Sequence, residues 1–195
     1  MLASASPRRK ELLQKAGLEL EVCLPDVVEL PPGALPPSEL VRWNAHVKAR
    51  EGAQNFPERV VLGADTLVCL ENKVFGKPGD LEEAESILLE LSGRVHEVIT
   101  GVCLIRIGES GREAICSFHQ ITRVRFHPFG KKEIAEFFLE ENPLDKAGGY
   151  AAQTDRGRFV AEVEGSMDNV VGLPVGLVLD ALHTHFSAVV RLPLV

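Results

Sequence analysis

The chain has 195 residues, 45% of them apolar, and a mean hydropathy close to zero, the balance of a soluble globular protein that buries its core in one domain spanning 1–195. No apolar run approaches the roughly 20 residues that cross a bilayer, and the N-terminus lacks the apolar centre of a secretory signal, so no membrane partner and a cytoplasmic location are expected. A net charge of −7 and a pI near 5.4 argue against a nucleic-acid partner; the cations cluster in short segments, as when an acidic protein holds one small polyanion.

In chain order, Ser6-Pro7 reads as a helix start, with serine as N-cap and proline at the first helical position. Leu12, Leu13 and Ala16 give that helix an apolar face and Gly17 stops it. Arg8, Arg9 and Lys10 fall in its first turn, where the macrodipole disfavours positive charge. Free N–H groups, dipole and guanidinium forks together would cradle a phosphate there; the alternative is an exposed basic turn. Only Met1-Leu2-Ala3 precedes it, room for a very short strand.

A strand is expected over residues 20–24. Glu29 follows on a proline-rich loop, as a solvated residue or a metal ligand. Ser38 is expected to open a second helix with Leu40, Trp43 and Val47 on one face; Lys48 adjoins that face, either snorkelling or pointing into a cleft.

Residues 60–70 read as a buried strand, since apolar and β-branched residues run through them almost unbroken. Asp65 stands in its middle, followed by Thr66. An ionised carboxylate in such a strand must meet a cation, a metal or a cluster of donors; otherwise it is a structural Asp closing a turn. Gly63 admits a close backbone approach. Phe75-Gly76-Lys77-Pro78 returns Lys77 in a tight turn towards the same place.

Asp80 caps a helix that turns Ala84, Ile87, Leu88 and Leu91 inward and ends at Gly93. A long strand over 95–105, a turn at 108–111 and a partner strand over 113–126, alternating around Ile121, Val124 and Phe126, make a hairpin. A helix over 131–139, a strand over 159–163 and a last helix containing Leu177, Leu179 and Leu182 complete an α/β chain with a mixed sheet. Cys23, Cys69, Cys103 and Cys116 show no metal-binding spacing and are expected to be reduced. His96, His183 and His185 read as packing or surface residues.

Ser4-Ala5-Ser6-Pro7-Arg8-Arg9, Lys48-Ala49, Gly63-Ala64-Asp65-Thr66, Gly76-Lys77-Pro78, Ser92-Gly93, Thr100-Gly101-Val102, Asp145-Lys146-Ala147-Gly148 and Asn169-Val170-Val171-Gly172-Leu173-Pro174 occur in this order. The set closely resembles the Maf family of nucleoside triphosphate pyrophosphatases over essentially the whole chain. That resemblance implies an elongated mixed α/β sheet flanked by helices with a central cleft, like inosine-triphosphate pyrophosphatases. It also implies hydrolysis of a nucleoside triphosphate to the monophosphate and pyrophosphate with a divalent metal, Mg or Mn, and is compatible with a homodimer. Asp65 matches the proton acceptor, and either takes the proton of the attacking water or binds the metal that activates it; Ser6, Arg8, Arg9, Lys48 and Lys77 match phosphate-site positions; Glu29 looks like the acidic position after the first strand, a candidate metal ligand with Asp65. Arg8, Thr66 and Gln153 match the specificity positions of the branch acting on dTTP and UTP.

Two departures stand out: Glu141-Asn142-Pro143 where the family has Gly-Glu-Pro, and a bulkier loop, Thr154-Asp155-Arg156-Gly157, after Gln153. The alternatives are a broader house-cleaning pyrophosphatase for modified or purine nucleotides and a nucleotide-sensing regulator of cell division without turnover. The cation and carboxylate set favours the enzyme, because a sensor gains nothing from a catalytic base.

Overall fold

A computed structural model describes residues 1–155 and 157–190. Its strands are β1 (Leu2–Ala3), β2 (Val22–Cys23), β3 (Val61–Leu70), β4 (Lys73–Phe75), β5 (Val95–Ile107), β6 (Glu113–Phe126) and β7 (Val160–Glu164). They form one seven-stranded mixed sheet in the order β2-β1-β3-β5-β6-β7, with β4 also on β3. β1 is parallel to β2 and β3, and every other pairing is antiparallel. The β5–β6 hairpin runs in register from Val95↔Arg125 to Ile107↔Glu113, which at a strand's rise makes the sheet roughly 45 Å long.

Among the described residues six α-helices flank it: α1 (Pro7–Lys15), α2 (Pro37–Asn55), α3 (Leu81–Leu91), α4 (Lys131–Glu140), α5 (Met167–Val171) and α6 (Val175–Phe186). Strand alternation divides the core between them. Val61, Leu67 and Cys69 of β3 face α2, whereas Leu62 and Ala64 face the layer of α1 and α6, and Val68 and Leu70 that of α3 and α4.

The α2 helix lies directly on the sheet because two glycines leave room for it. A Cβ on Gly63 would stand 2.2 Å from the Ala45 carbonyl oxygen, and one on Gly101 would stand 2.4 Å from that of Val41. The close approach expected at Gly63 is therefore that of the helix backbone. It also corrects the expected face of α2. The buried stripe is Leu40, Val41, Asn44, Ala45, Lys48, Ala49, Gly52 and Ala53, and Trp43 is 49% exposed beside His46. The glycines seat the Val41, Ala45 and Ala49 side of the helix on the sheet, which leaves the indole off the buried stripe. The helix also begins at Pro37 without a side-chain cap, so Ser38 lies inside its first turn.

Other elements differ from expectation for local reasons. β2 is limited to Val22–Cys23 because the β1 stub offers only Leu2 and Ala3 to pair with. Ile121 faces solvent, while Thr122, Val124 and Phe126 point inward. The C-terminal segment forms two helices, with Gly172, Leu173 and Pro174 between α5 and α6, and Leu177 is partly exposed. His96 is indeed a core residue, and all four cysteines are free thiols.

β5 occupies one edge of β3 from Val61 to Cys69. On the other edge, β1 pairs only with Leu62 and Gly63, and β4 only with Val68 to Leu70. Residues 64–67 have no strand neighbour there. The sheet is split at that point, and the chain leaves on both sides of the gap: into α1 after β1, and through Gly76-Lys77 after β4.

Candidate active site

The split opens into a cleft of about 750 Å³. Ser6, Arg8, Arg9, Glu29, Lys48, Asp65, Thr66, Lys77 and Gln153 all line it, so every site position singled out in the sequence borders one cavity. Asp65 and Thr66 are consecutive strand residues and point to opposite faces of the sheet. Because the edge is open beside them, both reach the same space.

Asp65 faces α2. Lys48 Nζ donates to its Oδ1 at 3.0 Å, and Asn44 Nδ2 donates to its Oδ2 at 3.2 Å. Asn44 and Lys48 are four residues apart, one above the other on the helix face that meets the sheet. The Lys48 ammonium also reaches Glu29 Oε2 at 2.5 Å and the Ala64 carbonyl at 3.4 Å. Glu29 and Asp65 thus converge on one ammonium, Asp65 largely shielded and Glu29 half-exposed.

Thr66 faces α1. Its hydroxyl accepts from Arg9 Nη2 at 3.0 Å and is hydrogen-bonded to Thr100 Oγ1 at 3.0 Å. The Arg9 guanidinium also donates to the carbonyls of Gly172 and Ala64 and to Ser4 Oγ. Its hydrogen bonds therefore fasten α1 to β3 and to the turn after α5. Burial lowers its pKa from the ordinary arginine value, against the attraction of Asp65. Arg9 supplies charge to the cleft, but most of its donors are already committed.

Ser6 caps α1 as expected, its Oγ accepting the Arg9 N–H at 3.4 Å. Arg8 projects across the cleft to Asp145, where Nη1 donates to Oδ2 at 2.8 Å and Nη2 to the backbone oxygen at 2.9 Å. Burial by itself would raise the Asp145 carboxyl, but hydrogen bonds from Lys146 and Arg8 outweigh it and hold it below its usual range. Lys77 is exposed on the wall beside Gly76, and Gln153 is exposed on the wall contributed by the 142–153 segment.

Residues that sequence reasoning did not assign complete the site. Asn44 touches Asp65, Lys146 pairs with Asp145 and Glu141, and Tyr150 lines the floor. The i, i+4 spacing of Asn44 and Lys48 was the available signal for the first. The loop after Gln153 is less alien to the site than its composition implies. Asp155 turns inward and accepts the backbone N–H groups of Phe159 and Val160, so its charge closes the loop. Arg156 lies outside the described residues.

Among the described residues no cluster of three or more His, Cys, Asp or Glu side chains has the geometry of a metal cage. The Glu29 and Asp65 carboxylates instead form a pair of hard oxygen donors at the cleft. That set fits Mg or Mn, which take one or two protein carboxylates and complete their shell with phosphate and water oxygens.

The sequence model described as Maf-like protein matches residues 1–185. A dTTP/UTP pyrophosphatase of Symbiobacterium thermophilum is 43% identical over 175 residues, covering 90% of this chain and 88% of that one. One from Carboxydothermus hydrogenoformans is 44% identical, covering 89% and 91%. One from Akkermansia muciniphila is 40% identical, covering 94% of each. Among solved structures, a nucleoside-triphosphatase / dITP/XTP pyrophosphatase from Mycobacterium abscessus aligns over 96% of this chain and 94% of that one at 18% identity, with a TM-score of 0.43. With its family model spanning 1–185 and relatives at 40–44% identity over nine-tenths of its length, the chain belongs to the Maf family.

Proposed function

We propose that this protein hydrolyses dTTP and UTP to the monophosphate and pyrophosphate, in the cytoplasm and as a single domain. The observation that carries the reading is the split in the sheet, where one carboxylate, Asp65, stands among the cations of α1, α2 and the β4 turn. Relatives at 40–44% identity that are named dTTP/UTP pyrophosphatases support the choice of substrate.

A triphosphate in the cleft needs its charge neutralised and a water aimed in line at the α-phosphorus. Ser6, Arg8 and Lys77 bind its oxygens, and Lys48 and Arg9, whose N–H groups are engaged within the protein, add their field. Asp65 accepts the proton of the attacking water, its carboxylate held in orientation by Lys48 and Asn44. A divalent cation held by Glu29 and Asp65 would offset phosphate charge and polarise the bond under attack. The nucleotide draws Arg8 away from Asp145, exchanging one anionic partner for another. Gln153 offers an amide donor and acceptor together, the complement of the imide edge shared by uracil and thymine. Thr66 and Arg8 complete base selection.

The test is pyrophosphate release from dTTP, UTP, CTP, dATP, GTP and 7-methyl-GTP with Mg or Mn, beside an Asp65→Asn variant. Fast dTTP and UTP turnover that the variant loses supports the proposal. Comparable purine rates would move it to the broader house-cleaning class, and tight binding without turnover would replace it with the sensor.

A further inference from the structure

Asn44 is 4% exposed and sits on the helix face pressed against the sheet. A buried amide that no chemistry requires is costly, and a leucine of similar size would fill the space without that cost. Its three polar contacts go to Leu30 and Asp65, both part of the cleft wall. Oδ1 accepts the Leu30 N–H at 2.9 Å, Nδ2 donates to the Leu30 carbonyl at 3.1 Å, and the same nitrogen donates to Asp65 Oδ2 at 3.2 Å. The orientation of the amide is forced, because a backbone N–H needs an acceptor and a backbone carbonyl needs a donor.

The Leu30 clamp matters because of what lies beside it. Glu29 is the preceding residue, and its carboxylate rests on Lys48, one helical turn beyond Asn44. Among the described residues, the remaining hydrogen bond within 26–35 is a local turn from Ala34 to Pro31. Beside the packing of Leu30 and Leu35 against the cluster of Leu40, Val41 and Leu67, the polar ties of the proline-rich loop to the rest of the molecule are therefore Asn44 on its backbone and Lys48 on the Glu29 carboxylate. The atom that tethers the loop also touches Asp65.

We propose that Asn44 is a positioning residue for the hydrolytic reaction: one side chain that orients Asp65 and, through Leu30, holds Glu29 in reach of the same phosphate. This rests on the pyrophosphatase reading, and it adds a function for the helix-borne amide that the phosphate-binding set does not include. Asn44 acts by fixing two carboxylates relative to each other. Displacing reacting groups by about an ångström costs on the order of 100-fold in rate, whereas cations on the cleft wall still bind the triphosphate.

The experiment compares wild type with Asn44→Leu, which keeps volume and loses every hydrogen bond, and with Asn44→Asp, which keeps the acceptor for the Leu30 N–H and loses both donated bonds. Steady-state kinetics on dTTP and amide hydrogen exchange at Leu30 are read together. Asn44→Leu is expected to lower kcat by about 10- to 100-fold with KM changed by less than about threefold, and to speed exchange of the Leu30 amide by at least roughly tenfold. Asn44→Asp should lower kcat similarly while Leu30 keeps most of its protection, and it decides the matter if the leucine variant does not fold. A kcat within about twofold of wild type, or a loss appearing only in KM, overturns the proposal. If wild type turns over no nucleotide, the pyrophosphatase reading fails by itself, and an unprotected Leu30 amide in wild type would then overturn the clamp as well.

Discussion

His96 offers a stability test that separates the core beneath the cleft from the chemistry above it. The imidazole is 1% exposed, edge-on to Phe126 and Tyr150 at 4.6 and 5.5 Å, with Nε2 2.9 Å from the Tyr150 hydroxyl. Its Nδ1 has no partner among the described residues, so a second proton would be buried against aromatic edges. Burial pushes its pKa down to about 4 from 6.5. Between those values the unfolded chain carries the proton and the folded chain does not. Stability from this group is therefore complete above pH 6.5, falls as pH drops towards 4, and changes no further below it. At about 1.36 kcal/mol per pH unit, the gap is worth about 3 kcal/mol. Urea unfolding at about pH 7 and about pH 4 measures it, with His96→Gln as the reference that does not titrate and so subtracts the carboxylates. Wild type should lose about 3 kcal/mol more than the variant over that interval. Parallel losses would refute the reasoning, because they would mean that His96 exchanges protons as freely folded as unfolded.

Two further perturbations test how the fold carries the site. Gly63→Ala places a methyl 2.2 Å from the Ala45 carbonyl, so α2 must back away from the sheet, taking Asn44 and Lys48 with it; thermal unfolding should show a loss of about 1–3 kcal/mol, accompanied by loss of turnover. Lys48→Met leaves Glu29 and Asp65 without their shared ammonium; turnover should fall at least roughly 100-fold while stability falls by less than about 3 kcal/mol, because the freed carboxylates face a wet cleft rather than a sealed core.

Much of this molecule is legible from local sequence, where one physical cause dominates. The Ser6-Pro7 cap, the inward stripe of α3 and the β5–β6 hairpin are decided by neighbours within a few residues, and the structure has them as expected. Asp65 is conspicuous because an apolar strand advertises any carboxylate within it. What escaped depends on elements far apart in sequence. Trp43 looks like a core anchor until Gly63 and Gly101 bring the Val41, Ala45 and Ala49 side of α2 onto the sheet and leave the indole off that stripe. Arg9 looks as free as Arg8 until the Gly172 carbonyl, 163 residues away, is brought to its Nε. Asn44 reads as an ordinary helix residue until Leu30 and Asp65 arrive on either side of it. The split in the sheet has no motif at all, since it is a place where β1 has ended and β4 has not begun.

In the proposed reaction, water deprotonated by Asp65 attacks the α-phosphorus and expels pyrophosphate. Turnover of dTTP in 18O-labelled water, with both products analysed by mass spectrometry, is the direct test. One solvent oxygen is expected in the monophosphate and none in the pyrophosphate. Label in the pyrophosphate instead would place the attack on the β-phosphorus and contradict the role given to Asp65 and to the cations around it.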